Sequence, residues 1–192
     1  MQSLGLSDST PRTENRLKSL FWPAIANDVD VDYLTSQGFW VCAVIAVMNL
    51  VVGLLAHVPV AGSLVAGFYF FAAMGVRERS RFAALAAFFG YALDGFVAQK
   101  YTGNGFGVMR ILFLALLLAN IRAVWLAYAW RERNEPDESP DRMDDTLMDR
   151  ISDQLPAAVW PVGRFFFYLC ACAEIGWGLV LLVGPIRIPV IK

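Results

Sequence analysis

Four ionisable residues lie within otherwise apolar stretches of the sequence, where they have the greatest scope for chemistry: Asp94, Arg110, Arg122 and Glu174. An unpaired charge near the centre of a bilayer costs about 3 kcal/mol or more, so each side chain requires a partner. Measured at about 1.5 Å per helical residue from the ends of the apolar stretches, Asp94 matches Arg110 in depth, and Arg122 matches Glu174. The sequence therefore predicts two intramembrane ion pairs.

These two pairs have two interpretations. In the first, Arg122 and Glu174 belong to a path for protons or anions, as intramembrane carboxylates and arginines do in transporters. In the second, both pairs are structural contacts that set the order of the helices. The second interpretation is favoured because two matched pairs leave no surplus charge, and because the sequence has no repeated half of the kind found in many transporters.

No other residues form a recognisable catalytic or ligand-binding motif. The only histidine, His57, lies beside an expected turn, and residues 99–107 lack the Gly-Lys-Ser/Thr ending of a phosphate-binding loop. The three cysteines, Cys42, Cys170 and Cys172, occur inside apolar stretches and are interpreted as small buried side chains. The sequence predicts no catalytic residue, metal site or cofactor, and it favours a non-enzymatic protein without excluding an enzyme.

The composition indicates a membrane protein. Hydrophobic residues make up 57% of the chain, against about 45–50% in a soluble domain, and the mean hydropathy is +0.50. A net charge of -1 and the lack of a long basic run give no reason to expect a nucleic-acid partner. The polar first 37 residues do not resemble a cleavable signal peptide, so the first apolar stretch is expected to stay in the mature protein.

The apolar stretches are long enough for five membrane-spanning helices. Residues 39–76 contain no Asp, Glu, Lys or Arg, and one helix over that stretch would reach about 57 Å, against a bilayer core of about 30 Å. A turn near His57 and Pro59 must therefore divide it. The sequence predicts an all-α, polytopic helical bundle with spans at about residues 39–56, 59–76, 82–98, 106–130 and 165–184.

The fourth span is expected to be the element around which the others are arranged. Ala115, Ala119, Ala123 and Ala127 recur at every fourth position, which places small side chains along one helix face. Such a face lets another helix approach closely. Asn49 and Asn120 are expected to donate hydrogen bonds between helices, and Phe39 and Trp40 to lie at the membrane interface.

Polar segments separate the spans into four regions. Residues 17–25 and 144–155 each have apolar side chains at helical spacing, which predicts two short amphipathic helices outside the membrane core. The predicted regions are a cytoplasmic segment at 1–37, four membrane helices at 38–130, an acidic cytoplasmic linker with its amphipathic helix at 131–160, and the fifth span with an external tail at 161–192.

Basic residues are distributed unevenly between the two ends of the predicted spans. If residues 1–37, the Arg77–Arg81 loop and residues 131–164 lie on one side of the membrane, that side holds 11 of the 16 Lys and Arg residues. Three others lie on the opposite side and two lie within spans. Positive charge marks the cytoplasmic side of short loops. We expect a multi-pass protein of a bacterial inner membrane, with a cytoplasmic N-terminus and an external C-terminus.

One short segment resembles a known family. The run Pro-Ile-Arg-Ile-Pro at residues 185–189 resembles the membrane exit of bacterial type I signal peptidases, in which a similar run precedes the catalytic serine. The resemblance covers about eight residues, and Val190, Ile191 and Lys192 follow without a serine. It would imply an inactive fragment and supports no family assignment.

The leading functional hypothesis is a structural or accessory subunit that binds other membrane proteins or a second copy of itself. The alternative is a small transporter, or a proton- or ion-coupled membrane protein, that uses the Arg122 and Glu174 pair. A water-filled cavity reaching Glu174 would favour the transporter. A dry, paired Glu174 together with an exposed groove lined by small residues would favour the accessory subunit.

Overall fold

The computed structural model describes residues 21–25, 28–133 and 159–184. The described chain contains five helices and no strand, and each helix is long and apolar enough to cross a membrane. The predicted all-α architecture with five spans is therefore confirmed. The predicted helix at 144–155, most of the one at 17–25 and the tail from residue 185 lie outside the described residues. The helices are α1 (Asp28–Leu55), α2 (Pro59–Arg77), α3 (Arg81–Thr102), α4 (Val108–Arg133) and α5 (Val159–Val183).

Helices α1 to α4 form a ring in which each helix packs against the next and α4 returns to α1. Helix α5 lies outside the ring, in the groove between α2 and α3. The expectation that the fourth span arranges the bundle is therefore wrong, because α2 and α3 each pack against three other helices and α4 packs against two. Because α5 packs on α2 and α3, these two helices have more neighbours than α4.

A tight turn joins α1 to α2, as the sequence predicts. His57 adopts a left-handed backbone conformation with a φ of 57°. The two helices then run against each other at Gly53 and Gly62: a Cβ atom added to Gly53 would lie 2.5 Å from the Gly62 Cα. The absence of side chains at these positions lets the two backbones touch, which is how small residues promote helix packing in membranes.

Helix α1 begins at Asp28, about three turns before the predicted start at residue 39. The Arg79 guanidinium forms an ion pair of 2.7 Å with Asp32, which places the polar first turns of α1 beside the α2–α3 turn. Phe39 is 4% exposed and lies in the core. Phe39 is therefore not the interfacial anchor that we expected, whereas Trp40 is exposed and its place at the membrane interface stays a prediction.

Helix α3 also extends beyond its predicted end at residue 98. It continues to Thr102, and Gly103 ends it with a left-handed φ of 71°. The extra turn carries Lys100, whose Nζ donates to the carbonyl oxygens of Leu181, Leu182 and Gly184 at 3.1, 2.8 and 3.0 Å. Lys100 thus supplies donors to carbonyl groups that the end of α5 leaves without helical partners.

Aromatic side chains attach α5 to the ring. Phe167 is completely buried and stacks on Phe68 of α2 at a centroid distance of 5.5 Å. Tyr168 contacts Phe82 of α3 edge-on at 4.6 Å. Edge-on and offset contacts of this kind stabilise aromatic pairs beyond their buried area. The inner face of α5 is therefore held by α2 and α3 together.

Candidate functional site

Polar side chains from three helices meet at one depth inside the bundle. Tyr69, Asp94 and Glu174 lie about 15, 12 and 14 Å from the ends of α2, α3 and α5 that are nearest His57 and Gly103. These distances place them near the middle of a bilayer core of about 30 Å. We call Tyr69, Asp94 and Glu174 the central polar cluster.

The contact between Tyr69 and Asp94 holds the cluster together. The Tyr69 side chain is 0% exposed, and its hydroxyl group donates to Asp94 Oδ2 at 3.3 Å. Asp94 itself is half-buried, so little water competes with this donor for its lone pairs. Sequence reasoning missed Tyr69, since a tyrosine within an apolar span is most simply interpreted as a hydrophobic residue.

Arg110 approaches the same cluster from α4. Its charge interacts with Asp94, as the sequence predicted, and its guanidinium carbon lies 5.0 Å from the centre of the Tyr91 ring. Its Nη1 atom is buried and has no hydrogen-bond partner among the described residues. Arg110 therefore stabilises the cluster by electrostatic attraction and by contact with an aromatic face.

Gly95, the residue after Asp94, makes this approach possible. A Cβ atom at that position would lie 2.9 Å from the Phe106 ring and 3.0 Å from Arg110 Cδ. Phe106 can therefore lie against α3, where it packs on Phe96 at 4.9 Å. The short loop and the start of α4 fold back onto α3, which carries Arg110 towards Asp94.

Glu174 enters the cluster from α5. It follows Phe167 and Ala171 on the inward face of that helix, at helical spacing, and its charge interacts with that of Asp94. Two carboxylates at close range repel each other unless a cation or a proton lies between them. Arg110 interacts with the charge of Asp94, and the Glu174 charge interacts with that of Asp94.

The predicted pairing of Arg122 with Glu174 is wrong. Arg122 Nη1 donates to the carbonyl oxygen of Pro23 at 2.8 Å, and the guanidinium carbon lies 4.7 Å from the centre of the Trp22 ring. Helix α4 packs on α1 and α3, whereas α5 packs on α2 and α3. Matching depth was a necessary condition for contact, but α4 and α5 are not neighbours in the bundle.

The charges of the central polar cluster are therefore not balanced in the way that two separate ion pairs would be. Asp94 interacts with the Arg110 charge and with the Tyr69 hydroxyl group, and the Glu174 charge repels that of Asp94, so a proton on either acid would relieve the repulsion. Metal ligation has no such support, because the described chain contains no group of three His, Cys, Asp or Glu side chains. His57 lies in the exposed α1–α2 turn.

The alanine face of α4 packs against α1. Ala119, Ala123 and Ala127 are 2%, 0% and 5% exposed and contact Val31 and Leu34. Ala115 is half-buried. The small side chains let the two helices approach closely over the half of α4 that leads to the Arg79 end of the bundle.

Only one of the two asparagines bonds to another helix. Asn120 is 1% exposed and its Nδ2 donates to the Leu34 carbonyl oxygen at 3.1 Å, as predicted. Asn49 Nδ2 donates to the carbonyl oxygen of Ile45 in its own helix, so the expectation for Asn49 is wrong. An amide can satisfy its donor on the preceding turn as readily as on a neighbouring helix.

Helix α5 exposes its outer face. In its most apolar window 17% of the residues are buried, compared with 33–50% in the other helices. The outer face combines large and small residues, and a Cβ atom added to Gly176 would meet no atom within 4 Å. We define the α5 outer face by its exposed residues Phe166, Leu169, Cys172, Ala173, Gly176, Trp177 and Val180. Cys172 is thus exposed, contrary to expectation, whereas Cys42 is buried and Cys170 half-buried.

Comparison with known proteins gives no match to a protein-family model, to a curated protein or to a solved structure. The short resemblance at residues 185–189 therefore gains no support, and those residues lie outside the described chain. Two features of the described chain bear on its function, the central polar cluster and the α5 outer face.

Proposed function

We propose that this protein is a non-enzymatic integral membrane protein, a structural or accessory subunit that binds other membrane proteins through the α5 outer face. The observation that carries the proposal is the low burial of α5 beside an open surface at Gly176. Small residues beside large ones form a groove that a neighbouring helix fills with close contacts. Flexible lipid chains cover such a surface less tightly.

The attachment of α5 to the bundle supports this proposal. Phe167 fixes the inner face, and Lys100 and Tyr101 bond to the last turn of the helix. The helix is therefore anchored at the middle and at one end. A rigid surface loses less conformational freedom on binding than a mobile one, which favours association.

Site-specific photo-crosslinking in intact membranes tests the accessory role. A photoreactive amino acid at Trp177 is expected to give adducts with one defined polypeptide, while the same probe at Val52 is the matched control, since the two residues are similarly exposed at 62% and 59%. Gly176→Leu should remove the adduct at 177 by filling the groove. Equal adducts at 177 and 52, or adducts that survive Gly176→Leu, would contradict the proposal.

We also propose a bacterial inner-membrane location with the N-terminus in the cytoplasm. Arg79 and Arg81 lie at one end of the bundle and Lys100 at the other, which supports the basic-residue argument. A topology reporter fused after Gly105 should behave as external, and one fused after Asp141 as cytoplasmic. The reverse pattern would overturn the orientation.

A second candidate function, proton- or ion-coupled transport, follows from the central polar cluster. It uses Asp94 and Glu174, because Arg122 lies elsewhere. In proteoliposomes that carry an internal pH dye, Asp94→Asn and Glu174→Gln should each abolish any protein-dependent proton flux. Arg122→Gln should leave the flux intact, and loss of flux in that variant alone would argue against this site.

A further inference from the structure

A groove of about 360 Å³ runs along the outer side of α1, with one wall from α4. Its volume falls within the range of about 300–1,000 Å³ that is common for small-molecule sites. The groove is lined by Tyr33, Ser36, Gln37, Trp40, Val41 and Val44 of α1 and by Phe113 of α4. The groove is on the opposite side of the ring from α5, so it is separate from the α5 outer face and from the central polar cluster.

The side chains of α4 explain why a groove forms here. Ala119 and Ala123 bring α4 close to α1 on the side of the Arg79 end. Leu112 and Phe113, more than a turn earlier, are large and pack against the main hydrophobic core. The change from small to large side chains prevents α1 and α4 from closing along their whole length.

The lining of the groove changes in polarity along α1. Tyr33 and Ser36 lie about 5 and 9 Å along the helix from Asp30, where the span begins, while Val44 lies about 21 Å along it. The hydroxyl groups are therefore near the membrane surface and the apolar wall is in the core. Trp40, which is 45% exposed, separates the two parts.

We propose that this groove binds one glycerophospholipid from the leaflet in which α1 begins, with an acyl chain against Trp40, Val44 and Phe113. The ester and phosphate oxygens of that lipid would accept hydrogen bonds from the Tyr33 and Ser36 hydroxyls. The polarity of the groove matches that of a phospholipid in both order and depth.

The charge next to the polar end indicates which part of the lipid is recognised. Asp32 comes directly before Tyr33 in α1 and forms an ion pair of 2.7 Å with Arg79. The residues that line the groove carry no charge with which to select an anionic headgroup. Phosphatidylethanolamine and phosphatidylglycerol should bind equally, because both present the same ester and phosphate oxygens.

A photoreactive phospholipid with a diazirine in its acyl chain tests the proposal directly. The purified protein is reconstituted with the probe at low mole fraction in either headgroup form, irradiated and digested, and the adducts are located by mass spectrometry. Adducts are expected at Trp40, Val44 and Phe113. Adducts distributed in proportion to exposure, including Val60 at 74% exposed, would mean ordinary surrounding lipid and would overturn the proposal.

Two matched tryptophan substitutions distinguish the groove from the rest of the helix surface. Val44→Trp fills the groove and should lower its adduct yield to the level of other exposed positions. Val52→Trp, on the same helix outside the groove, should leave that yield unchanged. If both substitutions act equally on the yield, the groove is not a site. Monodisperse elution of both variants shows that each has folded.

The polar end has its own test. Tyr33→Phe with Ser36→Ala removes two hydroxyl groups without changing the apolar wall, and each lost hydrogen bond is expected to weaken binding by roughly threefold to tenfold. The readout is the number of phospholipids retained after delipidation, measured by native mass spectrometry. Unchanged retention would show that the hydroxyls do not contact the lipid.

Discussion

Gly38→Ala is the substitution that most directly tests the packing of α1 on α4. Gly38 is buried in α1, and a Cβ atom there would lie 2.6 Å from Asn120 Nδ2 and 2.7 Å from Asn120 Cγ. A third contact, at 3.0 Å, would be with Val76 Cγ1. Because Asn120 is almost completely buried, its amide has no free space to move into. The amide would have to leave the Leu34 carbonyl oxygen or push the helices apart.

The expected loss of stability has three parts. Overpacking of a well-packed site costs about 1–3 kcal/mol. Loss of the Asn120 hydrogen bond adds about 0.6 kcal/mol, the average for such bonds between membrane helices. Replacing glycine by alanine within a helix returns about 0.5–1 kcal/mol through backbone entropy. Together these terms predict that Gly38→Ala lowers the unfolding free energy by about 1–3 kcal/mol.

Equilibrium unfolding in mixed micelles measures this loss. Gly67→Ala is the control, because a Cβ atom at Gly67 of α2 would meet no atom within 4 Å and should only improve helix propensity. The double variant with Asn120→Ala should recover at least about 1 kcal/mol relative to the sum of the single changes. If Gly38→Ala unfolds like Gly67→Ala, or if the double variant is additive, the contact between Gly38 and Asn120 does not exist as described.

Further predictions concern the charged residues and the alanine face. Glu174→Gln should not lower the unfolding free energy, whereas Arg122→Gln should lower it by about 1–2 kcal/mol because a charged hydrogen bond is lost. The two effects should add in the double variant. If the double variant instead recovers stability, Arg122 and Glu174 are partners after all. Lys100→Met should lower the unfolding free energy by about 1 kcal/mol, because it removes hydrogen-bond donors from the end of α5. Protease cleavage after α5 should then become faster, and an unchanged cleavage rate would contradict this prediction. Ala123→Leu should cost about 1–3 kcal/mol and Ala115→Leu clearly less, since only Ala123 is fully buried; equal unfolding free energies would place that face of α4 towards lipid.

The sequence predicted features that depend on local composition. Five spans follow from the length and hydrophobicity that a bilayer demands of any helix within it. The association of Asp94 with Arg110 was also predictable, because a loop of a few residues joins their helices and forces them to be neighbours. Asn120 and the alanine face followed from side-chain type and spacing on one helix. Each of these inferences needed only residues that are near one another in the chain.

The lateral order of the helices was decided by the tertiary structure alone. Depth in a membrane is a single coordinate that can be counted along the chain, but the choice of neighbours depends on packing between distant segments. Phe167 packs α5 against α2 and α3, which brings Glu174 to Asp94 and leaves Arg122 with Pro23. The early start of α1 has the same origin, because its polar first turns are supported by side chains from the α2–α3 turn and from α4. Hydrophobicity cannot specify such choices, since lipid and protein are equally apolar surroundings for a helix.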